Sequence, residues 1–288
     1  MSASVAAQPQ RVVRRRRRWG PVIAGVALSA VVVVYLLPLL LAVGMSLKTS
    51  AELVQQPLAW PTRLTFDNYA VVFAQMNYWR MVGNTVLITL ASTILVSLIA
   101  PLAAYPLARA PSRWTNAVYL LFVAGLTIPF FMLMIPVQLL MKALGLINTY
   151  AGVILLYTTL NLPLAVFFYT SFIRTIPREL EEAAAIDGCT PVQTFWHIVL
   201  PMLQPVTGTL AMFVTLSVWN DFLLPLVFLY SPDSRTIMVS VASFIGMYGF
   251  NPASLFPAAV LASLPLLLFF FFLQRQIIAG VAAGAVKG

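Results

Sequence analysis

The sequence predicts an all-α integral membrane protein with six transmembrane helices. The mean hydropathy is +0.92, and charged residues make up only 9% of the chain, whereas soluble domains contain about a quarter. Six long runs lack Asp, Glu, Lys and Arg, and each exceeds the ~20 residues with which a helix crosses the hydrocarbon core. These runs are 20–47, 81–108, 114–141, 143–173, 188–220 and 236–274.

The runs define the domain organisation. We predict helices at about 21–43, 84–108, 117–139, 150–172, 205–229 and 256–274. The helices after the first belong to a core that covers 81–276, and this core includes a charged loop at 175–204. The remaining parts are a basic segment (1–20), a first loop (44–80) and a tail (277–288).

Lysine and arginine predict the orientation, because cytoplasmic loops carry an excess of both. With the N-terminus inside, twelve basic residues are cytoplasmic and five are external. The cytoplasmic set is Arg11, Arg14 to Arg18, Arg109, Arg113, Arg174, Arg178, Arg275 and Lys287. The external set is Lys48, Arg63, Arg80, Lys142 and Arg235. Both termini are therefore predicted to be cytoplasmic, in a multi-pass protein of a bacterial cytoplasmic membrane.

The arginine run at 14–18 has several possible roles. Basic blocks can bind nucleic acid or anionic lipid, but positive charge directly before a first span is what topology requires. We interpret the run as a topological anchor and expect no nucleic-acid partner. The apolar stretch 21–43 is too long for a signal peptide and lacks a cleavage motif, so we expect it to remain as a helix.

Catalytic and metal chemistry have few candidate residues. Cys189 is the only cysteine and His197 the only histidine, so an internal disulfide and a Cys/His metal cluster are excluded. No G-x-x-x-x-G-K-[ST] motif occurs, and therefore the chain has no phosphate-binding loop for ATP. We expect no metal, no bound cofactor and no catalytic residue, which argues against a membrane-embedded enzyme.

Four of the eight acidic residues lie together in the loop at 175–204. They are Glu179, Glu181, Glu182 and Asp187. At the bilayer centre each would cost about 2.5–3.5 kcal/mol, so this loop is predicted to lie outside the membrane. By the order of the spans it is cytoplasmic.

Turn residues predict two short helices in this loop. Pro177 suits a first helical position, and Gly188 suits the residue that follows a helix C-terminus. Thr190 and Gln193 match a capping box with proline between them. We expect Pro201 to end the second helix.

One stripe of the first loop helix carries Glu179, Glu182, Ala183 and Ile186. Acids in a first helical turn complement the helix dipole, and this explains Glu179 and Glu181 but not Glu182 or Asp187. Small residues beside them allow close approach of another surface. The pattern indicates a helix–turn–helix that docks onto a partner.

The loop resembles the EAA loop of ABC importer permeases. The residues that carry the resemblance are Glu182-Ala183-Ala184, Asp187-Gly188, Ile198, Leu200 and Pro201. Further segments resemble the carbohydrate branch, in particular the six-helix partner of maltose-type sugar permease pairs. These segments are LTFDNY (64–69), GNT (83–85), AAYPLAR (103–109), WNDFLLPLVF (219–228) and GAVKG (284–288). The resemblance covers about 25–288, and Cys189 stands where the family has a small residue.

The resemblance implies a type-1 ABC importer fold and a set of partners. These are a second homologous permease, two ATP-binding subunits that use ATP and Mg²⁺, and an extracytoplasmic sugar-binding protein. It implies that the loop contacts the ATPase, with Glu182 and Gly188 at the centre of the contact. It also implies that the C-terminal tail, with Gly284, Lys287 and Gly288, reaches toward the ATPase dimer.

The translocation pathway offers few candidates. Asp221 is the only acid in a predicted span, and intramembrane ionisable residues are functional candidates. Asp221, its neighbour Asn220, and Asn161 could line the path, or they could make polar contacts between helices. An ion-coupled secondary transporter is the alternative, but it requires inverted repeats and embedded titratable groups that we do not find.

Overall fold

The structure is a computed structural model that describes residues 19–246 and 251–285. Throughout these residues the regular elements are helices, and no strand occurs. The helices are α1 (Trp19–Ser46), α2 (Ser50–Gln55), α3 (Asp67–Gln75), α4 (Tyr78–Arg109), α5 (Arg113–Gly125), α6 (Phe130–Ala143), α7 (Tyr150–Ile173), α8 (Glu179–Ile186), α9 (Pro191–Thr194), α10 (Leu200–Met202), α11 (Gln204–Asn220), α12 (Leu223–Phe228), α13 (Ile237–Gly246) and α14 (Pro252–Ala285). A π-helical segment (Phe195–Val199) joins α9 to α10, and a 3-10 turn (Pro232–Ser234) precedes α13.

Several of these helices are long and apolar enough to cross a membrane. Within the described residues, four unbroken helices meet this requirement: Ile23–Ser46, Tyr78–Arg109, Tyr150–Ile173 and Pro252–Phe271. Two bent pairs raise the number to six if each pair is one crossing: α5 with α6, and Pro191–Met202 with α11. The predicted all-helical, multi-pass class is confirmed.

The predicted continuous helix at 117–139 is wrong. The chain bends by 102° between α5 and α6, and Pro129 lies at the break, directly before α6. Proline disfavours helical geometry in the residue before it and has no backbone N–H to donate. Pro101, Pro106, Pro136 and Pro163 lie inside helices, so proline alone does not predict where a helix breaks.

The predicted helix at 205–229 is also wrong. α11 ends at Asn220, and Asp221 has extended backbone angles (φ −74°, ψ 131°). Pro225 would place its ring against the carbonyl of Asp221 if the helix continued. The Asp221 carboxylate instead accepts a hydrogen bond from the Leu223 N–H at 2.9 Å, and this contact satisfies a free donor at the start of α12.

Two predicted boundaries shift. α4 begins at Tyr78, six residues before the predicted start at 84, and α14 continues past the predicted end at 274 to Ala285. The predicted boundary between core and tail at 276 therefore falls within a helix that includes Gly284. Lys287, Gly288 and the arginine run 14–18 lie outside the described residues.

The core forms where α4 packs along α7, with α11 against α4 and α14 against α11. Ala100, Ala104 and Ala165 are fully buried at the centre of this cluster. Small side chains at helix crossings allow the backbones to approach closely, which stabilises helix pairs inside a membrane.

At the predicted extracytoplasmic end, Asn84 connects three segments. Its amide Nδ2 donates to the backbone oxygens of Asp233 (2.8 Å) and Arg235 (2.9 Å), and its Oδ1 accepts from the Tyr150 hydroxyl at 2.8 Å. α4, α7 and the segment before α13 are thereby held at one level. This is a structural role for one residue of the GNT segment.

The first helix stands apart from the core. α1 packs against α14, and every side chain from Ile23 to Leu40 is exposed. In a membrane this surface contacts lipid or another subunit.

Candidate functional site

The first loop helix, α8, ends as the sequence predicts. Gly188 has a left-handed backbone (φ +85°). The Cys189 N–H donates to the Ala184 oxygen at 2.9 Å, and the Gly188 N–H donates to the Ala185 oxygen at 3.1 Å. This pair of bonds is the Schellman motif, in which glycine adopts the left-handed residue without strain. The helix begins at Glu179 rather than at Pro177, with Arg178 as its N-cap.

The second loop helix begins as predicted but ends later. Thr190 and Gln193 form the capping box, and Pro191 is the first helical residue. Pro201 does not end the helix, which continues to Met202. The π-helical segment explains this difference, because the Leu200 N–H donates to the Phe195 oxygen five residues earlier. This wider turn precedes Pro201, and a sharp bend of 70° follows before α11.

A half-buried ion pair attaches α8 to the end of α4. The Arg109 guanidinium contacts Glu181 Oε1 at 2.6 Å, with side chains only 12% and 15% exposed. The Tyr105 hydroxyl donates to the other carboxylate oxygen at 2.8 Å, and Arg109 also donates to the Ile176 oxygen at 2.9 Å. Arg109 Nε and Nη2 both contact Oε1, and several charge-assisted contacts of this kind hold a side chain in one geometry.

This ion pair is not among the features predicted from the sequence, where Glu181 is explained by the helix dipole. The available signal was Arg109 in the last turn of α4, a basic residue in the same AAYPLAR segment as Tyr105. The two partners are 72 residues apart. Local spacing therefore could not join them.

Several residues of the loop form no side-chain hydrogen bond or ion pair within the described residues. Glu179, Glu182, Ala183, Asp187 and Gly188 are all exposed, whereas Ala184 is buried. Of the later residues that the sequence singles out, Ile198 and Leu200 are half-buried and Pro201 is exposed.

Large apolar side chains are exposed beside these acids. Ile186 at the end of α8 is 87% exposed and Val192 in α9 is 66% exposed. A cavity of about 320 Å³ separates α8 and α9 from the end of α4, lined by Tyr105, Glu182, Cys189 and Thr194 among others. Exposed apolar groups with a charged rim are typical of a protein-binding surface.

The three pathway candidates lie in two places. Asp221 Oδ2 accepts a hydrogen bond from the Tyr157 hydroxyl at 2.9 Å, so this carboxylate joins α7 to the break after α11. Asn161 donates to the Tyr157 backbone oxygen at 2.8 Å, and Asn220 donates to the Leu216 oxygen at 2.9 Å. Asp221 and Asn161 thus both bind Tyr157 of α7. Asn220 binds only within its own helix, α11, among the hydrogen bonds of the described residues.

The fold and the site define a helical membrane protein that carries an exposed acidic helix, α8, between its long apolar helices. Residues 97–282 match the family described as binding-protein-dependent transport system inner membrane component. The chain belongs to this family and is a permease subunit of an importer whose ATPase is a separate chain.

Curated relatives support this assignment along nearly the whole chain. The arabinooligosaccharides transport system permease protein AraQ of Halalkalibacterium halodurans is 36% identical over 95% of this chain and 100% of its own length. The melibiose/raffinose/stachyose import permease protein MelC of Bacillus subtilis is 36% identical over 80% of this chain and 83% of its own length. The ion-coupled alternative is therefore dropped.

A solved structure has the same fold. One chain of a bacterial ABC transporter involved in the import of the acidic polysaccharide alginate superposes with a TM-score of 0.74. The match covers 91% of this chain and 97% of that chain at 21% identity. At this identity the likeness concerns the fold alone.

Proposed function

We propose that the chain forms half of the translocation path for a sugar, from a monosaccharide to an oligosaccharide or a related glycoside. Both termini and the α8–α9 loop are on the cytoplasmic side of a bacterial cytoplasmic membrane. The substrate class is supported by the relatives, which are described as permeases for arabinooligosaccharides and for melibiose, raffinose and stachyose. The particular sugar follows from the binding protein that delivers it.

The partners in this proposal are a second permease, two ATP-binding subunits that use ATP and Mg²⁺, and an extracytoplasmic sugar-binding protein. A related solved structure, with a TM-score of 0.65, is described as an alginate ABC transporter in complex with a periplasmic protein bound to an alginate pentasaccharide. This supports the kind of assembly. The C-terminal residues Gly284, Lys287 and Gly288 reach toward the ATPase dimer in the same proposal.

The exposed side of α8 is the surface that binds the ATPase in this proposal. Glu181 faces inward and holds α8 against α4, so the opposite face has a fixed orientation toward the cytoplasm. Glu182 and Ile186 of α8, and Gly188 directly after it, are exposed. Movement of an ATPase bound there is transmitted to α4 through the Arg109–Glu181 ion pair. It is transmitted to α7 and α11 through the backbone, since α8 lies between these two helices in the sequence.

We expect Glu182→Ala and Gly188→Asp to reduce both binding of the ATPase and sugar uptake at least tenfold, while the chain still inserts in the membrane. The Glu182 carboxylate has no side-chain partner within the described residues, so its loss removes a contact to the ATPase and none within the chain. An added Cβ at Gly188 meets no atom within 4 Å. Co-purification of the ATPase and uptake of radiolabelled oligosaccharide measure the effect.

Gly145→Asp is the matched control. Gly145 also has a left-handed backbone (φ +68°) and open space around its Cβ position, but it lies between α6 and α7. Both glycine variants carry the same conformational strain of about 1 kcal/mol. Equal losses in the two variants would mean that strain, and not docking, is responsible.

Orientation is tested by labelling cysteines. We expect an impermeant thiol reagent to label Leu64→Cys in intact cells, because residue 64 is exposed in the predicted external loop. Cys189 should react only after the cells are lysed and the protein is denatured, since the proposed docking surface is inside. Strong labelling of Cys189 in intact cells contradicts the proposed orientation.

A further inference from the structure

A second cavity lies next to the α8–α9 loop, where α4 ends, α5 begins and α7 ends. Its volume is about 660 Å³, and three arginines line it: Arg113, Arg174 and Arg178. We name it the arginine cavity. Its remaining polar lining includes Ser112, Thr115 and Asn116.

The three arginines have no acidic partner. The ion pairs of residues 19–246 and 251–285 are Arg80 with Asp233 and Arg109 with Glu181. Arg174 lies over the Tyr119 ring, with its guanidinium carbon 5.1 Å from the centroid, and Arg178 Nη2 is 3.5 Å from the Arg109 oxygen. Three exposed arginines therefore line one cavity without an ion-pair partner among the described residues, and a bound anion can accept charge-assisted hydrogen bonds from them.

The cavity lies where three membrane helices reach the interface. α4 ends at Arg109, α7 ends at Ile173, and α5 starts at Arg113. Trp114, the next residue, is 74% exposed, and tryptophan is enriched at the level of lipid headgroups. The ends of two apolar helices and an exposed tryptophan beside the cavity favour a position for the arginines at the depth of lipid phosphates.

An exposed apolar stripe lies on another face of α5 and begins at the level of the cavity. Trp114, Val118 and Leu121 follow at helical spacing and are 74%, 44% and 73% exposed, and no side chain of α5 is buried. Such a surface suits lipid acyl chains, so lipid lies beside the helix that contributes Arg113 to the cavity.

We propose that the arginine cavity binds the phosphate of an anionic phospholipid whose acyl chains lie in the adjoining bilayer. Basic pockets between transmembrane helices recognise lipid headgroups in this way. The site is independent of the sugar and of coupling. Only its assignment to the cytoplasmic leaflet rests on the orientation proposed above.

The test is native mass spectrometry of the purified importer complex, after incubation with equal amounts of phosphatidylglycerol and phosphatidylcholine of the same chain length. We expect the wild-type complex to retain phosphatidylglycerol in preference. The double variant Arg113→Gln/Arg174→Gln should lose this preference, with affinity reduced roughly fivefold for each arginine. Arg63→Gln, an exposed arginine at the other end of the molecule, is the control and should behave as wild type.

Four results overturn the proposal. The wild type could bind the two lipids equally, which decides the question even if the double variant does not fold. The double variant could keep the preference. Inorganic phosphate could displace phosphatidylglycerol completely at millimolar concentration, which would identify a site for a soluble anion. The double variant could lose its ATPase subunits and keep its lipid, which would identify a protein interface.

Discussion

Glu181→Ala is expected to destabilise the chain by about 3 kcal/mol, because it leaves the half-buried Arg109 guanidinium without a counter-charge. It also removes the acceptor of the Tyr105 hydroxyl. Since α8 then loses its attachment to α4, we expect ATP hydrolysis by the assembled importer to continue without sugar uptake. Thermal unfolding in detergent, together with ATPase and uptake rates in proteoliposomes, measures both effects.

Asp233→Ala is the matched control for this prediction. Asp233 also pairs with an arginine at 2.9 Å, but the two side chains are 49% and 67% exposed. Exposed ion pairs contribute at most about 1 kcal/mol, so this variant should unfold near the wild-type temperature and retain transport. If Glu181→Ala behaves the same way, the ion pair does not hold α8.

Gly152→Ala is expected to have an equally large effect on stability. A Cβ at this position in α7 would overlap the backbone oxygen of Leu146 and touch the Met141 side chain. The Leu146 segment cannot move aside freely, because its N–H donates to the Met141 oxygen at 2.8 Å and the nearby Asn148 N–H donates to the Phe228 oxygen at 2.8 Å. Overpacking of this kind costs about 3 kcal/mol.

The amount of protein in the membrane and its melting temperature test this prediction. Gly208→Ala provides the comparison, since Gly208 lies inside α11 with no atom within 4 Å of the added Cβ. Alanine is the better helix former by about 1 kcal/mol, so this variant should be at least as stable as wild type. A normal yield and melting temperature for Gly152→Ala would mean that the turn between α6 and α7 adjusts easily.

The sequence predicts features that depend on neighbouring residues. The Schellman turn at Gly188 and the capping box at Thr190 follow from residue types at fixed short spacing, and the structure contains both. The four unbroken spans are similarly accessible, because their positions follow from hydrophobic length.

Features that depend on distant packing could not be predicted. Pro129 lies at a break while Pro163 lies within a helix, and the difference depends on whether neighbouring helices satisfy the freed backbone groups. The attachment of Glu181 to Arg109 requires knowing that α4 ends beside α8. Gly152 has no sequence signal of its own, since only the path of the preceding turn shows that a methyl group does not fit there.

The 70° bend between Pro191–Met202 and α11 determines how motion changes direction. Suppose that the segment Pro191–Met202 shifts along its own axis. Because of the bend, the part of this shift that is perpendicular to α11 is larger than the part that is parallel to it. α11 therefore swings sideways and slides little along its length. Rotation of α11 about this bend changes the distance to neighbouring helices most at the end of α11 that is far from the bend. A small displacement at the membrane surface therefore widens or narrows the space beside α11 deep in the bilayer.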